Sequence, residues 1–192
     1  LFGRTGGLMM LRPVNITMDV QNPGPARAGK GKPKVYLDQI PGLPQFVLDR
    51  SDIFAGDVLI IGSVSGKNTL PVGLALLARE QGVKVIALTS VAYSAALQGE
   101  HPSGRRLFEV ADVVLDNCGV VGDAALDIEG IDAKVGPTSG IAAAAIMWAL
   151  EMEIIERMAR RGVKPSVWLS NHMPGAGEFN RRALEERDKR GY

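Results

Sequence analysis

The chain has a single cysteine, few aromatic residues and almost no net charge. One cysteine, Cys118, cannot form a disulfide within the chain, so no disulfide framework or cysteine-rich metal site is expected. Aromatic residues make up 5% of the chain and its formal net charge is +1, which disfavours the basic stripe and stacking platforms of a nucleic-acid-binding protein. The longest apolar run, 141–150, is shorter than the roughly 20 residues that cross a bilayer. We therefore expect a cytoplasmic protein that binds neither nucleic acid nor a membrane.

The proportions of apolar and charged residues are those of an ordinary globular protein. Of 192 residues, 46% are hydrophobic and 22% are charged, which predicts one domain with a sizeable core over 1–192. Residues 1–50 contain breaker signals such as Asn22-Pro23-Gly24-Pro25, so we expect an irregular N-terminal part there. A short strand at 15–20 and a short helix at 44–49 are its expected elements. Residues 51–192 are expected to form a regular α/β core.

From residue 57 onward, short apolar runs alternate with helical patterns. The runs Asp57–Ile61 and Val83–Leu88 have the continuous apolar character of strands buried on both faces. Strands that alternate with helices predict a parallel sheet in a doubly wound α/β fold. The remaining predicted elements are helices at 70–81, 138–161 and 178–190, a helix ending at 107–111, strands at 113–115 and 167–169, and an irregular excursion at 116–137.

Two of these helices carry more specific signals. Gly82 follows the helix at 70–81, where a left-handed residue commonly ends a helix. The helix at 138–161 has apolar residues at spacings of 4, 3 and 4, and we expect this stripe to pack in the core or against a second copy. The stripe consists of Ala145, Trp148, Met152 and Ile155.

The loop Gly62–Thr69 directly follows the first buried strand. It offers the hydroxyls of Ser63 and Ser65, a glycine at Gly66 that permits close backbone approach, and the unpaired N–H groups of a helix N-terminus. These are the donors that a phosphate requires. Two other interpretations exist: an ordinary turn whose polar residues cap the helix, and a Walker A loop. We reject the second because the glycines are one residue too close and Asn68 replaces the Ser or Thr that holds magnesium.

The same residues resemble a known family. Asp57–Ser90 contains a strand, Ser-x-Ser-Gly, a helix and a second strand ending in Thr-Ser, and is similar to the core of the SIS (sugar isomerase) domain, which binds phosphosugars. Later tracts resemble a bacterial subgroup of phosphosugar isomerases, and they lie at His101–Leu107, Ala111–Asn117, Gly122–Leu126 and Lys134–Ser139.

The resemblance implies a flavodoxin-like parallel sheet flanked by helices, a homodimer, and a sugar phosphate as ligand. Because the family has an earlier strand and loop, we expect a fold truncated at its N-terminus. The resemblance also implies that Thr89 and Ser90 line the sugar pocket, and that Asn68 stands where many SIS domains have threonine. Lys67 is expected either to pair with the phosphate or to lie in solvent. The candidate binding residues are Ser63, Ser65, Gly66, Lys67, Asn68, Thr69, Thr89 and Ser90.

The implied reaction is an aldose–ketose isomerisation through an enediol, with no metal and no other cofactor. It requires a base that moves a proton between C1 and C2 and a group that opens the ring. The candidate catalytic groups are Glu129, Asp123 and His101. Each also has a structural interpretation: the acids as solvated loop residues, and the histidine as a loop residue bonded to backbone. Cys118 is expected to be a small core residue.

Other features favour a protein that binds without reacting. The subgroup carries Glu-His-Asn near its C-terminus, whereas this chain reads Glu178-Phe179-Asn180, so a proton-shuttling histidine is missing there. We do not expect His172 to replace it. With the family's first loop also missing, the chain fits a non-catalytic phosphosugar sensor, whereas the carboxylates at 116–137 favour the isomerase. A lyase or etherase acting on a phosphorylated amino sugar acid uses a similar scaffold and stays open.

Overall fold

The computed structural model describes residues 2–18 and 36–191, and the chain divides into two compact units. One unit spans 15–140, and the other combines the residues up to Val14 with those from Ile141 onward. The expectation of a single domain stays a prediction. Of the strand predicted at 15–20, residues 15–18 have no regular secondary structure and the rest lies outside the described residues.

The first unit contains three parallel strands and the helices that connect them. A single 3₁₀ turn, Leu37–Gln39, precedes the first helix. The elements of this unit are α1 (Leu43–Asp49), β1 (Val58–Gly62), α2 (Thr69–Glu80), β2 (Lys84–Thr89), α3 (Val91–Ala95), α4 (Leu107–Val110), β3 (Val113–Asp116), β4 (Ala124–Leu126) and β5 (Val135–Pro137).

The three-stranded sheet has the order β1-β2-β3, with all strands parallel. The central strand β2 is the most buried, and Val85 and Ala87 on it are fully buried. Val72 and Ala75 of α2 are also fully buried and belong to the same cluster. The predicted α/β fold with a parallel sheet is confirmed. Of the two strands expected to be buried on both faces, β2 is, whereas in β1 only Ile61 is buried and Val58 is 57% exposed.

The end of α2 determines how the chain enters β2. Gly82 has φ +81°, as its position predicted. Its N–H donates to the Arg79 carbonyl at 3.0 Å, and the N–H of Val83 donates to the Ala78 carbonyl at 3.0 Å. These two bonds satisfy carbonyls that the helix leaves unpaired, and they reverse the chain directly into the next strand.

We expected the stretch 116–137 to be irregular because of its glycines and carboxylates, but it contains regular secondary structure. It contains an antiparallel hairpin in which Ala124 pairs with Pro137 and Leu126 with Val135. Each strand has only three residues, too few to show an alternating pattern in the sequence. The hairpin leads directly into the long helix that follows.

The second unit contains two long helices, α5 (Ser139–Arg160, which starts in the first unit) and α6 (Ala176–Arg190). The predicted strand at 167–169 is reduced to one antiparallel bridge between Leu8 and Val167. Three hydrogen bonds join the two segments around this bridge, from Gly6 N to the Trp168 carbonyl at 2.8 Å, from Trp168 N to the Gly7 carbonyl at 3.1 Å and from Met9 N to the Ser166 carbonyl at 2.9 Å. The N-terminal segment therefore pairs with the segment before α6.

The buried face of α5 differs from the predicted stripe. Met152 is 61% exposed and Ala145 is also exposed, whereas Met147 and Glu151 are 7% and 1% exposed. Glu151 is buried because its Oε2 accepts the N–H of Leu8 at 3.1 Å. Apolar periodicity does not predict a buried glutamate on this face. Trp148 and Ile155 of the predicted stripe are half-buried, and packing of the stripe against a second copy stays a prediction. Among the described helices, none combines the length and apolarity of a membrane span.

Candidate functional site

The loop 62–69 lies where β1 ends and α2 begins, at the carboxyl end of the parallel sheet. Two backbone hydrogen bonds join it to the end of β2 and the residue that follows: Ser63 N donates to the Leu88 carbonyl at 3.0 Å, and Ser90 N donates to the Val64 carbonyl at 3.1 Å. Ligands of open α/β sheets bind at this edge. The fold therefore places the predicted loop in the expected position.

The loop presents a row of unpaired amide groups. Within the described residues, the N–H groups of Val64, Ser65, Lys67, Asn68 and Thr69 have no acceptor. Asn68 stands at the N-cap of α2, but its side chain does not cap the helix. Gly66, in the middle of the row, has φ +57°. Unpaired N–H groups around a left-handed residue at a helix N-terminus are the arrangement that binds anions.

The two serine hydroxyls lie beside these amides. Ser63 Oγ accepts the Gly66 N–H at 3.3 Å, and in the described part of the chain nothing accepts the proton of its hydroxyl. Ser65 Oγ donates to Asn68 Oδ1 across 3.5 Å, at the long limit of a hydrogen bond. Both hydroxyls are half-buried and can turn to an anion at small cost.

Gly66 sits in a tight socket. A Cβ at this position would lie 2.8 Å from Ser94 Oγ and 3.1 Å from Thr89 Oγ1. Ser94 is fully buried, and its hydroxyl has no hydrogen-bond partner among the described residues. The Gly66 carbonyl accepts the Leu107 N–H at 2.7 Å. The loop therefore packs against Ser94, Thr89 and Leu107 at this point, and only glycine fits at position 66.

Three of the predicted binding hydroxyls are used inside the protein. Thr89 and Ser90 are fully buried; Thr89 donates to the Val64 carbonyl at 3.0 Å and Ser90 to the Gly119 carbonyl at 2.6 Å. Thr69 Oγ1 donates to the Glu100 carbonyl at 3.3 Å. These residues fix the loop and its neighbours, and their contact with a ligand stays a prediction.

Two carboxylates that the sequence did not single out lie against the loop. Asn68 Nδ2 donates to Asp38 Oδ2 at 2.8 Å, and Lys67 Nζ forms an ion pair with Glu100 Oε1. Asp38 is 30 positions before Asn68 in the chain, and Glu100 is 33 positions after Lys67. No local motif predicts contacts over such separations. Lys67 thus forms an ion pair with a carboxylate, and its pairing with a phosphate stays a prediction.

Asp123, one of the predicted catalytic acids, is fully engaged. Its Oδ2 accepts the Ser139 hydroxyl at 2.7 Å, and its Oδ1 accepts the Ser139 N–H at 2.9 Å and the Thr138 N–H at 3.3 Å. The bond from the Ser139 hydroxyl, followed by that from its N–H, lowers the pKa of this carboxyl below its ordinary value. The arrangement caps the start of α5, which is a poor environment for a base.

The other two catalytic candidates have different surroundings. Glu129 is exposed in the turn between β4 and β5, and makes no hydrogen bond or ion pair with the described residues. His101 Nδ1 lies 2.8 Å from Ser103 Oγ and accepts the Ser103 N–H at 3.1 Å. Its Nε2 lies 3.7 Å from the place that a Cβ on Gly73 would take, so the ring is beside α2. Among the described residues, no hydrogen bond or ion pair joins these three groups to one another, and their catalytic roles stay predictions.

The segment after β3 corrects one expectation. Cys118 is exposed with φ +52°, and it is not the core residue we expected. Asn117 is buried in its place, and its Oδ1 accepts the Gly119 N–H at 2.9 Å. Asp116 Oδ1 accepts the N–H of Val91 at 3.1 Å and that of Cys118 at 2.9 Å. A turn built on Asp116 and Asn117 thus turns the thiol outward.

Two surface grooves lie elsewhere. One of about 690 Å³ runs between the segment before α6 and α6 itself, and is lined by Lys164, Val167, Phe179 and Arg182. The other, about 400 Å³, lies at the C-terminal end of α2 near Gly82. Neither includes a loop residue. We favour the loop because its donors are unpaired, whereas Arg182 is already paired with Glu178.

The parallel sheet with a serine-containing loop after its first strand is the architecture of a SIS-domain protein, and residues 1–90 match the family model described as SIS domain. A UPF0309 protein of Geobacillus thermodenitrificans is 37% identical over 190 residues, covering 99% of this chain and 74% of the relative. A UPF0309 protein of Streptomyces griseus is 39% identical over 194 residues, covering 98% and 74%. The chain belongs to the UPF0309 family of SIS-domain proteins.

Proposed function

We propose that this chain binds a phosphorylated sugar and holds the phosphate in the loop 62–69. The observation that carries the proposal is the row of unpaired N–H groups around Gly66 at the start of α2, with the Ser63 hydroxyl beside it. A phosphate dianion satisfies several of these donors at once. The SIS-domain membership supports the same ligand class.

The test removes the two hydroxyls. Hydrogen bonds to a charged group contribute about 1.5–3 kcal/mol each, so Ser63→Ala with Ser65→Ala is expected to cost on the order of 3 kcal/mol, or about a hundredfold in affinity. Calorimetric titration with glucose 6-phosphate and glucosamine 6-phosphate measures this. Ser51→Ala is the matched control, because its hydroxyl donates to the Val47 carbonyl at 2.5 Å at the end of α1. If the double variant binds as tightly as the control, the proposed site is wrong.

The proposed activity is the metal-independent isomerisation of the bound sugar. Asp38 is a carboxylate in contact with the loop, because the Asn68 side-chain amide donates a hydrogen bond to its Oδ2. Its Oδ1 accepts no hydrogen bond from the described residues, so it has the capacity of a base. His101 supplies the group that opens the sugar ring. It acts through Nε2, because Nδ1 already accepts the Ser103 N–H. Asp38→Asn is expected to abolish proton exchange at C2 of the sugar while preserving binding, as followed by NMR in deuterated water.

A non-catalytic sensor is the second candidate, favoured by a specific observation. Asp123 caps α5 and Glu129 forms no hydrogen bond or ion pair with the described residues, so neither acid predicted from the sequence is bonded to the loop. A sensor binds the same ligand but shows no C2 exchange in the unmutated chain. The same NMR experiment therefore separates the two candidates.

We also infer that the protein acts as a homodimer. Large apolar side chains are exposed on and around the β4-β5 hairpin, and Val121, Leu126 and Ile131 are 59%, 58% and 55% exposed. A cluster of this kind marks an interaction surface. Sedimentation equilibrium is expected to give twice the mass of one chain.

A further inference from the structure

Lys67, the cation of the proposed phosphate loop, is bound to Glu100 by more than one contact. Its ammonium forms an ion pair with Glu100 Oε1, and its carbonyl accepts the Glu100 N–H at 2.8 Å. The Glu100 carbonyl in turn accepts the Thr69 hydroxyl at 3.3 Å. These backbone contacts hold Glu100 beside the loop, and its side chain, 47% exposed, reaches the Lys67 ammonium from there.

Among the described residues, both charged side chains that form a hydrogen bond or ion pair with the loop residues from outside the loop are carboxylates. The ammonium of Lys67 is matched by Glu100, and the Asn68 amide holds a second carboxylate, Asp38. In the described ranges, no other lysine or arginine side chain forms a hydrogen bond or ion pair with a residue of 62–69. An anion in this loop is stabilised mainly by N–H and O–H donors, which reach only the group they surround.

We infer that Glu100 is a specificity-determining residue, which restricts the proposed site to phosphate monoesters and discriminates against more highly charged ligands such as diphosphates. The inference rests on the proposed function. A single phosphoryl group is surrounded by the donors, whereas a second one extends beyond them and meets the Glu100 carboxylate, which already pairs with Lys67. Repulsion of the wrong ligand is a common source of specificity. The competing interpretation is an exposed ion pair of no consequence, as many are.

The experiment compares Glu100→Gln with Glu80→Gln. The first removes the carboxylate but keeps its backbone contacts. The second makes the same charge change at the other end of α2, a 12-residue helix and therefore roughly 18 Å away. Calorimetry with inorganic phosphate and with pyrophosphate, at low and high salt, gives the ratio of the two affinities.

We expect Glu100→Gln to tighten pyrophosphate about tenfold and phosphate about threefold, because it frees Lys67 and removes a like charge. The salt dependence of pyrophosphate binding should steepen, since a free cation then takes part. Glu80→Gln should leave the ratio within about 1.5-fold of wild type. In the double variant Lys67→Met with Glu100→Gln, most of the gain should disappear.

The outcomes separate this inference from the proposed function. If wild type binds phosphate and Ser63→Ala with Ser65→Ala weakens it, but Glu100→Gln leaves the ratio unchanged, Glu100 is not a specificity determinant and the site stands. If wild type binds neither anion, both ideas fail. If Glu100→Gln does not fold, Lys67→Gln tests the inference instead. This variant leaves the Glu100 carboxylate without its cation, so the affinity for pyrophosphate should fall more than the affinity for phosphate. Equal losses of the two affinities overturn the inference.

Discussion

Replacing Gly66 with alanine is expected to reduce both stability and anion binding. A φ of +57° costs an L side chain about 1–2 kcal/mol. The new Cβ would also lie 2.8 Å from Ser94 Oγ and 3.1 Å from Thr89 Oγ1, and a methyl group forced into a packed site costs about 1–3 kcal/mol. Together these contributions predict a loss of about 2–5 kcal/mol in the free energy of unfolding.

Urea unfolding followed by far-UV circular dichroism measures this loss. Gly62→Ala is a matched control, because it adds the same methyl group four residues earlier at a position with no atom within 4 Å of the new Cβ and no positive φ. We expect the control to stay within about 0.5 kcal/mol of wild type. Similar stabilities for the two variants would refute the reasoning.

A second change separates the clash from the backbone strain. Ser94→Gly removes the hydroxyl nearest to the new Cβ, and this hydroxyl has no partner in the described chain. The double variant Gly66→Ala with Ser94→Gly should therefore be more stable than the sum of the single losses predicts, by about 1 kcal/mol. Strict additivity would mean that strain alone accounts for the effect.

Two further predictions concern buried and capping carboxylates. The lowered pKa of Asp123 means that its contribution to stability is complete above the pKa of the unfolded chain and is lost as the pH falls through the lower folded value. The stability difference between wild type and Asp123→Asn, from urea unfolding, should therefore shrink from about pH 6 to about pH 3; a constant difference would contradict this. Glu151→Ala leaves the buried Leu8 N–H without its acceptor and should cost about 2–4 kcal/mol. Glu151→Gln keeps a carbonyl there and should cost less, and equal losses would show that the bond is unimportant.

The sheet and its loop were predictable because local signals specify them. A continuous apolar run identifies a strand of the parallel sheet, although β1 is more exposed than its run predicts, and Gly82 ends α2 at a positive φ that glycine adopts easily. The position of the loop then follows from topology alone. Helix ends were correct to within two residues, as for α6, which starts at Ala176 against a predicted 178.

The surroundings of the loop were not predictable, since they depend on contacts between distant segments. Asp38 and Glu100 reach the loop from separations of 30 and 33 residues. Glu151 is buried because one backbone N–H, 143 positions away, needs an acceptor. From composition we expected Cys118 to lie in the core, but the turn that Asp116 and Asn117 form leaves it exposed. Periodicity and composition carry no information on such pairings.

The buried hydroxyls of β2 and α3 raise a problem of interpretation for any binding study. Ser90 donates to the Gly119 carbonyl at 2.6 Å and accepts the Tyr93 N–H at 3.1 Å, so Ser90→Ala is expected to destabilise the segment after β2 and to weaken ligand binding even if its side chain does not touch the ligand. Ser63→Ala should weaken binding with a change in unfolding free energy of no more than about 0.5 kcal/mol, because its hydroxyl makes one long bond. Ser90→Ala should lose about 1–3 kcal/mol, because it leaves a buried carbonyl and a backbone N–H without partners. Measuring stability and affinity on the same variants therefore distinguishes a ligand contact from a support, and equal stability losses would contradict the assignment of Ser63 to the ligand.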